Sequence, residues 1–168
     1  MKPFLIFICV ICIIIPLVTY GISIGKTVTM SANCIDFFDL AADANSVELA
    51  EKYLTKGIEY LESHNLTSGF TKMIVYKPTN DIGIWYENLK SAQAQLQELK
   101  QREDLTELEE SNALMKLRET LLNSSGTVTH PEFISFYPNS TSWAWSLIFI
   151  WLLWIVALVA GAIAYDCY

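Results

Sequence analysis

Side-chain pattern divides the chain into two regimes. At both ends the apolar positions run together; between them they recur at helical spacing. The last run, Trp143 to Tyr165, is WAWSLIFIWLLWIVALVAGAIAY, 23 residues without a charge. At about 1.5 Å per residue such a helix reaches roughly 34 Å, enough for a bilayer core of about 30 Å. The first run, Phe4 to Gly25, follows Met1-Lys2-Pro3 and has two readings. As an uncleaved transmembrane helix it tolerates a kink at Pro16. As a signal peptide it has a charged start at Lys2, an apolar region from Phe4 to Ile15, and a small-x-small cleavage site at Ser23-Ile24-Gly25. The length of the run favours the helix; Pro16 suits the signal. No lipobox precedes a cysteine.

Between the runs the periodicity becomes that of soluble helices. Lys26 to Asn33 reads as a short polar lead-in. Cys34 to Ala44 then sets Ile35, Phe38 and Ala42 on one side, which predicts a short helix. Asn45, with Glu48 three residues on, has the form of a capping box. Val47, Ala50, Leu54, Ile58 and Leu61 follow as one apolar stripe over about four turns, and His64-Asn65 ends it. Gly69 and Pro78 punctuate the next segment, where Lys72 to Tyr76 reads as a short extended piece. Asp81 caps a long helix whose seam is Trp85, Leu89, Ala92, Leu96 and Leu99, at heptad-like spacing. A second start falls at Asp104 with Glu107, after a turn near Gln101 to Glu103. In that helix Leu105, Leu108, Asn112 and Met115 form one line, and Leu114, Leu117 and Leu121 another. Two apolar lines predict a helix between neighbours. Asn123 to Ser142, with Gly126, Pro131 and Pro138, reads as a linker carrying Phe133, Phe136 and Tyr137 towards the membrane interface.

The expected architecture is therefore all-α. Two transmembrane helices, at 1–25 and 143–165, flank an extracytoplasmic domain of three to four helices at 26–122 with coiled-coil-like packing. A linker occupies 123–142 and a cytoplasmic tail 166–168. The short positive N-terminus stays inside, the long loop crosses, and the last helix returns, so both termini face the cytoplasm. The tail is too short for an output domain.

Charge narrows the partners. Eleven basic and 18 acidic residues give the chain a net charge of −7; removing Lys2 and Asp166, which cancel, leaves 10 and 17 in the middle. An acidic domain is repelled by phosphate backbones and anionic headgroups, which argues against nucleic acid. The four cysteines, Cys9, Cys12, Cys34 and Cys167, form no disulfide framework. Cys9 and Cys12 read as small packing residues. Cys34 reads as a buried small residue, with an intermolecular disulfide as the alternative.

Little else points to chemistry. His64 and His130 sit in loops without ligand-type neighbours at helical spacing, so no metal site is expected. Glu103, Asp104, Glu107, Glu109 and Glu110 read as a solvated helix start, with calcium or a basic partner as the alternative. No nucleophile elbow and no phosphate-binding glycine loop occurs, so no catalytic residue and no cofactor is expected. Ala50 to Leu61 has the feel of a tetratricopeptide helix, without a second copy. Asn65, Asn123 and Asn139 open acceptor sequons, sites of glycosylation only in a eukaryotic secretory pathway. Ala157, Ala160, Gly161 and Ala164 share one face of the last helix, a small-residue face that lets helix backbones approach. Depth arithmetic places it level with Cys9 and Cys12, as an antiparallel pair needs.

Asn45-Ser-Val-Glu-Leu-Ala50, Asn65-Leu-Thr-Ser-Gly69, Asp81-Ile-Gly-Ile-Trp-Tyr-Glu-Asn-Leu89 and Ser111-Asn-Ala-Leu-Met-Lys-Leu-Arg-Glu-Thr-Leu121 together resemble a group of small uncharacterised bacterial membrane proteins. The resemblance implies a membrane-anchored helical domain in a bacterial inner membrane, unglycosylated and without an assigned activity or site. The function expected is that of a structural or interaction protein, not an enzyme. It would be an accessory subunit or scaffold in the lipid bilayer that docks another membrane or extracytoplasmic protein, or itself. The alternative is an extracytoplasmic ligand-binding or sensory module, lined by Tyr53, Tyr60, Trp85 and Tyr86.

Overall fold

The computed structural model describes residues 2–72, 77–102 and 104–166. Most of the expected extended piece at Lys72 to Tyr76, and Glu103, lie outside them. Among the described residues the fold is helical, without a named strand. Two helices are long and apolar enough to cross a membrane, one near each end of the chain.

The first of these, α1 (Lys2–Met30), does not stop where its apolar run stops. It passes through a π-helical turn, Ser31–Ile35, straight into α2 (Asp36–Ala42). The expected polar lead-in at 26–33 is thus helix, and the boundary at 25/26 is not a structural break. Lys26 to Asn33 reads as a loop because its polar residues lack an apolar stripe. They need none, since nearly all of them are exposed. The π turn lies where the helix passes from exposed to packed surface. Met30 and Cys34 are buried there, and Asn33 Nδ2 donates to the Thr29 carbonyl at 2.8 Å.

From α2 the chain folds back as α3 (Val47–Ser63). Its expected stripe, Val47, Ala50, Leu54, Ile58 and Leu61, is entirely buried. The N-cap differs by one residue: Ser46, not Asn45, is extended and accepts from the Leu49 amide. Asp81 caps α4 (Ile82–Lys100) as expected, its carboxylate accepting from the amides of Gly83 and Ile84. In α4 Leu89, Ala92 and Leu96 are buried, and Trp85 and Leu99 are half-buried against the same core. Its last turn ends before the expected turn.

The following helix, α5 (Glu107–Leu121), starts three residues later than Asp104. Thr106 is the cap, in a full capping box with Glu109. Of the two expected apolar lines, one enters the core and the other reaches it only through Leu105. Leu117 and Leu121 are buried and Leu114 half-buried, whereas Leu108 is 71% and Met115 59% exposed. The helix packs against α2, α3 and α4, as a helix between neighbours would, and its remaining side is exposed at Leu108 and Met115.

The expected linker is instead built into the domain. Leu122 and Val128 pair across a turn whose Asn123 carboxamide accepts from the amides of Ser125 and Thr127. Pro131 and Ile134 are buried, and a single 3-10 turn, Ile134–Phe136, packs between α1 and the last helix. That helix, α6 (Ser140–Asp166), begins three residues before Trp143 and runs past Tyr165. It packs against α1.

The core sits between α2 and α3, with α4 and α5 closing it. Phe38 is fully buried, meets Trp85 edge-on at 5.7 Å and packs closely against Gly57. Trp85 in turn donates from Nε1 to the Thr129 carbonyl at 2.8 Å, which ties the segment leading to α6 onto α4.

Candidate functional site

The residues with the most suggestive placement lie where the domain meets the two apolar helices. Lys26 is the first charge after the N-terminal apolar run, and Trp143 stands in the first turns of α6. The two are brought together. The Lys26 ammonium lies 5.5 Å from the Trp143 ring centre and 5.9 Å from that of Phe136. Those two rings are 5.0 Å apart and tilted by 44°. A cation over two ring faces is held by their negative π surfaces.

Beside Lys26 opens a cavity of about 400 Å³. Ile22 and Gly25 line its α1 end, Tyr60 and His64 the end of α3, and Ser135 and Tyr137 the segment before α6. Tyr60 and His64 stack with ring centres 4.0 Å apart. Burial, with Cys34 nearby, pushes the Tyr60 hydroxyl above its ordinary value. Further along, Pro16, Tyr20, Leu147, Trp151, Trp154 and Ile155 line a second, almost wholly apolar groove of about 630 Å³ between α1 and α6.

Other sequence candidates disperse. Tyr53 stacks on Phe37 at 6.5 Å, and Tyr86 donates to Glu62 at 2.6 Å. Tyr53, Tyr60, Trp85 and Tyr86 thus each have a separate partner, and of the four only Tyr60 lines the cavity beside Lys26. Cys34 is fully buried with its thiol 3.7 Å from the Gly57 carbonyl, and burial pushes that thiol up to about 12. A protonated, enclosed sulfur is the placement of a packing residue and rules against the intermolecular disulfide. The acidic run caps helices. Glu109 closes its capping box and accepts from Arg102, while Glu110 accepts from the Val47 amide at 2.9 Å. Among the described residues no group of three potential metal ligands converges.

In the sequons Asn65, Asn123 and Asn139 are all exposed. Asn65 stands at the end of α3 with a positive φ of 56°, and the Asn139 carbonyl accepts from Trp143. Of the small-residue face, Ala157 is half-buried; the side chains of Ala160, Gly161 and Ala164 lie outside the described residues. Cys12 is buried at 8% exposure, although Val10, Ile11, Ile14 and Ile15 around it are exposed. Lys26 was not singled out from the sequence. The signal was available, as one cation at the end of an apolar run and an aromatic cluster before the other run.

No family model, no curated protein and no solved structure matches the chain.

Proposed function

We propose that this chain is a membrane-anchored interaction protein, an accessory subunit or scaffold whose helical domain docks a partner protein outside the cytoplasm. The observation that carries this reading is the unbroken helix from Lys2 to Ala42. The domain's first helix is the extension of an apolar one, and the segment leading to α6 is packed into the same core. A domain held at both ends in this way is presented in a fixed pose, which suits docking better than signalling through a flexible tether. The cleavage-like Ser23 to Gly25 lies inside that helix, which favours retention of the N-terminal run as a membrane span. With both helices spanning, the termini lie in the cytoplasm and the net charge of the domain faces outward. The loose resemblance to bacterial membrane proteins favours an inner membrane.

The docking surface favoured by the fold is the open side of α5, where Leu108 and Met115 stand exposed. Large apolar side chains on an unpacked helix face are candidates for a protein contact. The test is crosslinking with mass spectrometry in native membranes, on the parent and on Leu108→Glu/Met115→Glu. The expected result is a stoichiometric partner crosslinked around α5 and lost in the double variant. A parent without a partner, or a partner indifferent to both changes, would overturn the reading.

A further inference from the structure

We propose that the cavity beside Lys26 is a site for an anionic glycerophospholipid, with the lipid phosphate on the Lys26 ammonium. This rests on the reading that α1 and α6 span the membrane. Phe4 to Gly25, at about 1.5 Å per residue, gives roughly 33 Å of apolar helix, which matches the hydrocarbon core. Lys26 is the next residue, at the depth where lipid phosphates lie. Trp143 and Phe136 mark the same level independently, since such rings favour the membrane–water boundary.

The ammonium is available to an anion. Among the described residues the ion pairs are made by other cations, and Lys26 stands against two ring faces. Lys26 is exposed, so its ammonium keeps N–H donors for a ligand. Because the domain is otherwise acidic, an anion approaching it has few attractive positions, and Lys26 at the membrane surface is one.

The cavity offers polar groups to a headgroup only beyond Lys26. Ile22 and Gly25 line the end nearer the apolar run, and Lys26 follows. Thr29, Ser135 and the Tyr60–His64 pair line the end nearer the domain, together with Met30, Leu66 and Ile134. An acyl-glycerol end against Ile22, a phosphate on Lys26 and headgroup hydroxyls against Thr29 and Ser135 follow that order. At about 400 Å³ the space falls within the usual range of small-ligand sites.

The experiment is native mass spectrometry of the full chain released from bilayers of mixed phosphatidylglycerol and phosphatidylcholine. The parent should retain phosphatidylglycerol in preference. Lys26→Gln should weaken that preference about fivefold, the scale of one basic residue at an anionic surface. Lys26→Arg should keep it, and so should Lys56→Gln, which removes a cation stacked on Phe37 in the domain. Equal preference in the parent and Lys26→Gln overturns the site. So does displacement of the retained lipid by soluble glycerol phosphate, which would make the ligand a free phosphate. An alkaline carbonate wash separates the two levels: extraction of the chain sinks the membrane reading, whereas retention without lipid preference sinks only the site.

Discussion

Gly57 shows how tightly the domain core is specified. It sits in the middle of α3, where alanine would ordinarily be worth about 1 kcal/mol through helix propensity. Here a Cβ would come within 2.7 Å of Phe38 Cζ and 2.8 Å of Cδ1, and Phe38 is itself fully enclosed. Overpacking costs about 1–3 kcal/mol, so the clash outweighs the propensity. Gly57→Ala should lower the thermal midpoint of the purified chain, and Gly57→Ala/Phe38→Leu should recover part of the loss. A second residue-level expectation concerns pH. Tyr86 donates to Glu62, and Lys90 adds a second bond at 3.4 Å. The Tyr86 bond, followed by that of Lys90, holds the Glu62 carboxyl below its ordinary value; the same bond pushes Tyr86 up to about 12. A lowered carboxylate stabilises above its unfolded value of about 4.3, and that contribution is lost as pH falls through the folded value. A raised phenol stabilises below about 10, and that contribution is lost as pH rises through about 12. The melting difference between the parent and Tyr86→Phe should therefore be greatest between about pH 5 and 9 and shrink at both extremes. Glu62 is exposed, so the difference should be small and diminish with salt. A difference that is flat across pH would refute the linkage.

At the scale of elements, the caps separate what the sequence pattern carries from what it does not. Ser46→Ala and Thr106→Ala should each cost about 1 kcal/mol, while Asn45→Ala and Asp104→Ala should cost much less. Thermal unfolding of the four variants checks this, and a reversed order would mean that the helices start where the spacing rule puts them. Asn45 and Ser46 are both good caps, and spacing to Glu48 favours the wrong one; Asp104 and Thr106 each have an acid three residues on, Glu107 and Glu109, so spacing does not choose between them. The choice belongs to where the backbone turns helical, which depends on packing from other elements. Glu110 reaching the Val47 amide from α5 is such a case. The α3 stripe was fully legible because a helix with one buried face imposes a period on its apolar residues. The segment from Asn123 to Asn139 was not, because Pro131 and Ile134 are buried from irregular backbone that has no period. Leu108 and Met115 misled in the opposite direction, since an apolar residue need not be inside. Of the junction site, the aromatic side was legible as an interface cluster. Its cation was not, because helix continuity past Gly25 is what turns Lys26 towards Trp143.

At the scale of the whole molecule, the question is whether the two apolar helices form one hairpin. The contact of Lys26 with Trp143 sets an antiparallel register near the domain. Fourteen residues back from Lys26 is Cys12; fourteen on from Trp143 is Ala157. The burial of both agrees with that count. Cys12 is buried among exposed neighbours, and Ala157 is half-buried while Val156 and Leu158 are 64% and 68% exposed. Small side chains at such a level let two helix backbones approach, and a disulfide requires Cα atoms about 4.4–6.8 Å apart. In a Cys9→Ser/Cys167→Ser background, Ala157→Cys should oxidise with the native Cys12 inside one chain. The product is a monomer that migrates faster without reductant and has lost two hydrogens in intact mass. Val156→Cys, on the outward side, should remain reduced under the same treatment. The buried Cys34 should stay unmodified throughout. A crosslinked dimer from Ala157→Cys would mean that this face seeks a second copy, and no crosslink at all would mean that α1 and α6 do not pair at this depth. Either result would remove the hairpin that fixes the domain's pose, and with it the main support for docking as the function.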